Sequence, residues 1–185
     1  KENIRLTENL DMRVYEYINL FELQGFTYRH YLDAILKRVK TDEFKDLAAE
    51  TEKQIEDGLL SEREINKLRN VFKEGFERNL TIEEISNKLK KDIKFKDRLS
   101  DGKLQIKATD RPRIIARTES VRLTNEAALD VYKENGIEKV MWVATAGTRT
   151  CPICEGLNGT VYKINEIKIK PPEPHPDCRC ALIKI

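Results

Sequence analysis

Cys151-Pro-Ile-Cys154, then twenty residues, then His175-Pro-Asp-Cys178-Arg-Cys180: these two short segments hold all four cysteines of the chain and one of its two histidines. A Cys-x2-Cys knuckle sets two thiolates on one side of a tight turn, and a second cluster further on can close a tetrahedron around Zn2+. Five side chains compete for four positions. Cys178 and Cys180 lie two apart, so an extended chain points both the same way and both could reach a metal. His175 and Cys178 repeat the spacing of the first knuckle, which favours Cys151, Cys154, His175 and Cys178. A site of all four cysteines, with His175 beside it, is the rival. Four thiols also permit two disulfides or a free-thiol state. Four nitrogen or sulfur ligands leave no position for water or substrate, so a zinc site of this kind is structural. Binding then supplies folding free energy on the order of 10 kcal/mol to a module too small to bury a sufficient core.

Around the knuckles the residues read as strands. Lys139-Val-Met-Trp-Val-Ala-Thr145, Thr160-Val-Tyr-Lys-Ile164 and Cys180-Ala-Leu-Ile-Lys-Ile185 are rich in β-branched and aromatic residues. The segment between the two cysteine pairs reads as a hairpin. Upstream the period changes to three and four. Asp110 followed by Arg111 and Pro112 starts a helix on which Ile114, Thr118, Val121, Asn125, Ala128 and Tyr132 recur until Asn135-Gly136 ends it. Ser61 with Glu64, and Thr81 with Glu84, are capping boxes opening two further helices. The first carries Ile65, Leu68, Phe72 and Phe76. The second, Thr81 to Leu89, resembles the first helix of a helix-turn-helix. Residues 92 to 109, with Ser100-Asp101-Gly102, read as turn and linker. Apolar positions from Leu10 to Val39, broken at Gly25 and Thr27, read as two helices or one kinked helix, and Phe44, Leu47, Ala48 and Ile55 continue the pattern to Gly58. His30 reads as a partly buried helical residue. The expected fold class is therefore α+β: a mostly helical region over residues 1–79, then a domain over 80–185 that ends in a small strand-containing, zinc-stabilised module at 139–185.

The chain has 185 residues and a formal net charge of only +2. Residues 1–87 carry 14 basic and 19 acidic side chains, a net −5; residues 88–122 carry 12 and 5, a net +7; residues 123–185 balance at 8 and 8. A uniformly basic protein is excluded, but a local basic junction is not. Lys90, Lys91, Lys94, Lys96, Arg113 and Arg117 are its candidate anion-binding or DNA-binding residues, against the plainer reading of a solvated surface. On the long helix, Glu119 can face Arg122 but not Arg117. Arg117 and Asn125 read first as hydrogen-bonding ties to the turns of the cysteine module, with Glu119 and Asn125 as structural polar residues. No apolar run is long enough to span a membrane, and no signal-peptide pattern is visible. The start at Lys1 without methionine reads as a fragment of a longer product or a processed form. Two histidines, no Gly-rich phosphate loop and no nucleophile motif leave a metal-dependent nuclease as a minor alternative, and the chain reads as a non-enzyme without a small-molecule substrate.

Ile115-Ala-Arg-Thr-Glu119, Asn125, Tyr132, Gly136, Trp142, Arg149-Thr-Cys-Pro-Ile-Cys154, Leu157-Asn-Gly159, Pro171-Pro172 and His175-Pro-Asp-Cys-Arg-Cys180 together resemble the Mu F-like head morphogenesis, or minor head protein, domain of tailed bacteriophages. The resemblance covers roughly residues 80–185. One departure is visible: where the family usually has an acidic residue shortly before the Arg-x-Cys, this chain has Gly147-Thr148. The resemblance implies a minor component of the procapsid and virion, present in the host cytoplasm during assembly. It further implies portal and capsid proteins as partners and a role in head assembly or in DNA packaging or ejection; double-stranded DNA is a further candidate partner from the basic junction and the helix-turn-helix-like start at Thr81. The alternative class is a DNA-binding zinc module.

Overall fold

The computed structural model describes residues 28–40, 61–100, 103–144 and 150–185. The helical patterns read before residue 28 and between 44 and 58, and the Gly147-Thr148-Arg149 segment, lie outside the described residues. Helix α1, Tyr28–Val39, places Tyr31, Ile35 and Val39 at four-residue spacing, and all three are buried. His30 lies on its other side and is exposed, not partly buried as its apolar neighbours in sequence imply. A helix face is set by spacing, and His30 falls one residue off the Tyr31 stripe.

Helices α2, Glu62–Glu77, and α3, Ile82–Asp92, both open on complete capping boxes. The Glu84 carboxylate accepts from the Thr81 N–H at 2.7 Å while Thr81 Oγ1 accepts from the Glu84 N–H at 3.1 Å. Ser61 and Glu64 do the same at 2.8 and 3.4 Å. Each reciprocal pair satisfies N–H groups that no turn of helix precedes. Leu68, Val71, Phe72 and Phe76 from α2 and Ile82, Ile85 and Leu89 from α3 enter the core. Gly75 faces α3 directly, and a Cβ there would come within 2.9 Å of the Ile85 side chain.

Two expectations are corrected after α3. Residues 92–109 are not simply linker: β1, Arg98–Ser100, and β2, Lys103–Ile106, pair as an antiparallel hairpin, with Leu99 opposite Leu104. The high charge of the segment hid its short alternation of polar and apolar residues. Because a hairpin follows α3, the next helix does not begin until Arg111, and the compact turn to a second helix that a helix-turn-helix requires is not present.

Helix α4, Arg111–Glu134, is the axis of the fold. Helices α1 and α3 pack on it, and so does strand β5, Ala181–Lys184. Its apolar residues do not gather on one side, yet it is buried along nearly all its length, including Arg111, Arg117, Glu119, Arg122 and Asn125. A buried charge is tolerated only with partners, so this helix must be threaded with ion pairs and hydrogen bonds. Arg38 of α1 supplies one set: its guanidinium donates to Asp130 at 2.7 and 2.8 Å and to Glu126 at 2.7 Å. Tyr31 and Tyr132 meet between the same two helices, where burial pushes the Tyr132 hydroxyl well above its usual value. Asp110 makes no side-chain cap bond; Arg111 instead donates to the Lys96 carbonyl at 3.0 Å and lies over the Phe95 ring. The helix ends at Asn135, followed by Gly136 at φ 72°, a conformation that costs glycine least.

Strand β3, Lys139–Val143, is the centre of a three-stranded antiparallel sheet of order β4-β3-β5, with β4 at Val161–Lys163. Val140 and Trp142 are buried, Lys139 is exposed and Met141 half-buried, so the strand alternates until Val143, which is buried as well. Between the cysteine pairs lie a short helix, α5, Pro152–Leu157, then β4 and a 3-10 turn at Ile164–Glu166. The hairpin expected there is instead a pairing of β4 back onto β3, with Val140 opposite Tyr162. Tyr31, Phe72, Tyr132, Trp142 and Leu182 belong to one continuous hydrophobic core, so the sheet and helices share their interior.

Candidate metal centre

Cys151 is the N-cap of α5 in an extended conformation, and its Sγ accepts the backbone N–H of Cys154 at 3.3 Å. One turn of helix places both thiols on the same side. His175 arrives from a turn after the Pro171-Pro172 peptide. Its Nδ1 is 2.7 Å from the Pro176 carbonyl, an atom that can only accept, so Nδ1 donates there and Nε2 is the nitrogen that faces the thiols. Nε2 lies 3.2 Å from Cys154 Sγ. Cys178 Sγ lies 3.8 Å from Cys154 Sγ and accepts the backbone N–H of Cys180 at 3.5 Å.

The five donors therefore form two triads that share Cys154: Cys151, Cys154 and His175, and Cys154, Cys178 and Cys180, each with its ligand atoms within 4.8 Å of one another. Two thiolates held at about 2.3 Å from one tetrahedral metal have sulfurs about 3.8 Å apart, so the spacing of Cys154 and Cys178 suits such an ion. A void of about 20 Å³, open to the surface and bordered by Thr150, Cys151, Cys154, His175, Asp177, Arg179 and Cys180, has room for a single atomic guest. Without a cation, hydrogen bonding to Cys154 and Cys180, together with burial, drives the Cys178 thiol far above its usual pKa. A cation reverses that preference because only the thiolate binds it. Thiolates and a neutral imidazole on a tight turn are a donor set for a borderline-soft divalent ion.

Helix α4 fixes the second knuckle from below. Asp177, at φ 63°, donates its backbone N–H to Thr118 Oγ1 at 2.9 Å, and its carboxylate accepts from Arg117 at 2.9 Å and from Arg113 at 3.5 Å. Two turns on, the Asn125 amide donates to the Cys180 carbonyl at 3.2 Å and accepts from the Leu182 N–H at 2.7 Å. It thus completes the edge of β5 as a neighbouring strand would.

Residues 66–183 match the model of the family described as Phage Mu protein F like protein. The chain belongs to that family. No curated protein and no solved structure matches it. The Mu F-like segment contains both knuckles, all of α4 and the sheet from β3 to Ile183 of β5.

The structure distributes the other sequence-read residues unevenly. Arg117 is only 9% exposed at its side chain and faces Asp177, as does Arg113, so the positive charge of both is directed at a carboxylate of the same chain. Glu119 is buried and pairs with Arg122 at 3.7 Å. Lys90 and Lys91 are exposed in the last turn of α3, where cations suit the helix dipole, and Lys94 and Lys96 are exposed just beyond it. None of these lysines borders the void. Sequence reading missed Thr118 and Asp177, whose only signal is their place beside Arg117 and inside the His-x2-Cys spacing. It also missed a cleft of about 290 Å³ lined by Arg38, Glu126, Asp130 and Lys170. Burial raises the Glu126 pKa there, opposed by Arg38 and Lys170. Glu126 and Asp130 are four apart on α4, but nothing in sequence ties them to Arg38.

Proposed function

We propose that the chain is a head-morphogenesis protein of a tailed phage. In this reading it is a non-enzymatic, virion-associated component that acts in head assembly or in DNA packaging or ejection beside the portal, with portal and capsid proteins as partners. Family membership supports this reading, and the observation that carries its structural side is the double attachment of the second knuckle to the central helix through Asp177 and Asn125. We further propose that four of Cys151, Cys154, His175, Cys178 and Cys180 hold one structural Zn2+. A closed ion of this kind stiffens the end of the molecule while the helices and exposed surface meet the partner. Co-purification tests the assembly role: the protein travels with portal protein or procapsids of its own phage, and its absence from such particles contradicts the reading. Among the described residues no helix is long and apolar enough to cross a membrane.

The exposed Lys90, Lys91, Lys94 and Lys96 support a second reading, in which this edge meets the phosphates of double-stranded DNA. Binding that weakens steeply with salt, and weakens again on charge reversal at these four lysines, is the expected result. No binding at low salt removes it.

A further inference from the structure

We propose that Asp177 is the positioning residue of the metal centre: it transmits the rigidity of helix α4 to the donors on either side of it and so sets the affinity for the ion. This inference rests on the metal-binding reading above. Asp177 stands between His175 and Cys178, and it is one of two non-glycine residues with positive φ among the described residues. Aspartate and asparagine adopt that left-handed conformation more readily than other side chains, but it still needs support from its surroundings. Here the support comes from one helix. Thr118 holds the Asp177 backbone N–H, and Arg117, almost fully buried, holds its carboxylate one residue earlier on α4, with Arg113 one turn before that. Asn125 holds Cys180 and Leu182 further along the same helix. The segment from Asp177 to Leu182 is thereby pinned at both ends to one rigid rod, and Cys178 and Cys180 lie between the pins. Neither sulfur needs to be located by the metal itself. The imidazole of His175 is likewise fixed by the Pro176 carbonyl just before the first pin. Groups that orient ligands without touching the ion commonly change metal affinity by about 10-fold to 100-fold when removed.

The test is competition of the full chain against a chromogenic chelator for Zn2+, with the visible spectrum of the Co2+-substituted protein as second readout. Asp177→Asn keeps a side chain that tolerates positive φ and removes the charge that Arg117 holds. It is expected to weaken Zn2+ binding about 10-fold to 100-fold and to alter the Co2+ ligand-field bands. Arg117→Met should weaken binding in the same direction, and the double variant should lose less than the sum of the two single ones, because both remove the Arg117–Asp177 pair. Thr118→Val should weaken binding while Thr118→Ser restores it, an arm that remains readable where Asp177→Asn does not fold. Wild-type affinity and an unchanged Co2+ spectrum in both Asp177→Asn and Thr118→Val overturn the positioning role. Wild-type protein that takes up no Zn2+ or Co2+ overturns instead the metal-binding reading on which it rests.

Discussion

At the scale of single residues, helix α4 is governed by charges that left water and had to find partners. Glu126 shows the tension most directly. Burial raises its pKa above the ordinary 4.5, and the nearby Arg38 and Lys170 only partly offset this. A carboxyl group with a raised folded-state pKa binds its proton more tightly in the native than in the unfolded chain. Its contribution to stability is therefore full below 4.5 and is lost as pH rises through the folded-state value. Glu126→Gln removes the titration, so the stability difference between wild type and variant should shift in favour of the variant as pH rises across that window. Urea midpoints at a series of pH values measure it, and a difference that stays flat contradicts the raised pKa. The same logic explains what sequence could show at this scale. Cys151, Cys154, His175, Cys178 and Cys180 were legible as one cluster because thiol and imidazole donors at short spacing stand out in a sequence, and the structure does bring them together. Asp177 and Arg38 were not, because their roles depend on partners 60 and 92 residues away.

At the scale of elements, local chemistry and long-range packing divide the work. The two capping boxes were readable because both partners lie within one turn, and the helices begin where those residues place them. Thr81→Ala, which removes one reciprocal pair at the start of α3, is expected to cost about 1 kcal/mol in urea unfolding. Asn125→Ala acts differently. It orphans the Cys180 carbonyl and the Leu182 N–H, both buried, at roughly 1–3 kcal/mol for each group left without a partner. Hydrogen exchange should speed up at the Leu182 amide, whereas unchanged protection there contradicts the account of α4 as a surrogate strand. The β1-β2 hairpin was misread as linker because each strand spans only three or four residues and lies in a segment rich in charge on both sides of it. The pairing of β4 with β3 instead of within a hairpin was equally hidden, since β3 precedes the first knuckle and the contact is set by the sheet, not by the turn.

At the scale of the whole molecule, the near-neutral charge conceals an acidic helical region, a basic junction and a balanced cap. The basic junction is partly spent inside the protein: Arg111, Arg113 and Arg117 answer to Lys96 and Asp177, while Lys90, Lys91, Lys94 and Lys96 are exposed. The α+β architecture followed from the change of period near Gly136, and the family from the ordered motifs along α4 and the knuckles. What no periodicity could convey is that a helix without an apolar face forms the axis, because its burial is made tolerable by pairings across the whole chain. On the proposed reading, this axis and four of the five Cys/His donors form one unit held by a metal ion. Zinc measured by elemental analysis on the full chain, purified without added metal, tests it most directly. About one equivalent per chain is expected, with loss of the metal and of cooperative unfolding in Cys154→Ser, since Cys154 belongs to both triads. Less than about half an equivalent in the wild type, or undiminished zinc in Cys154→Ser, would contradict it.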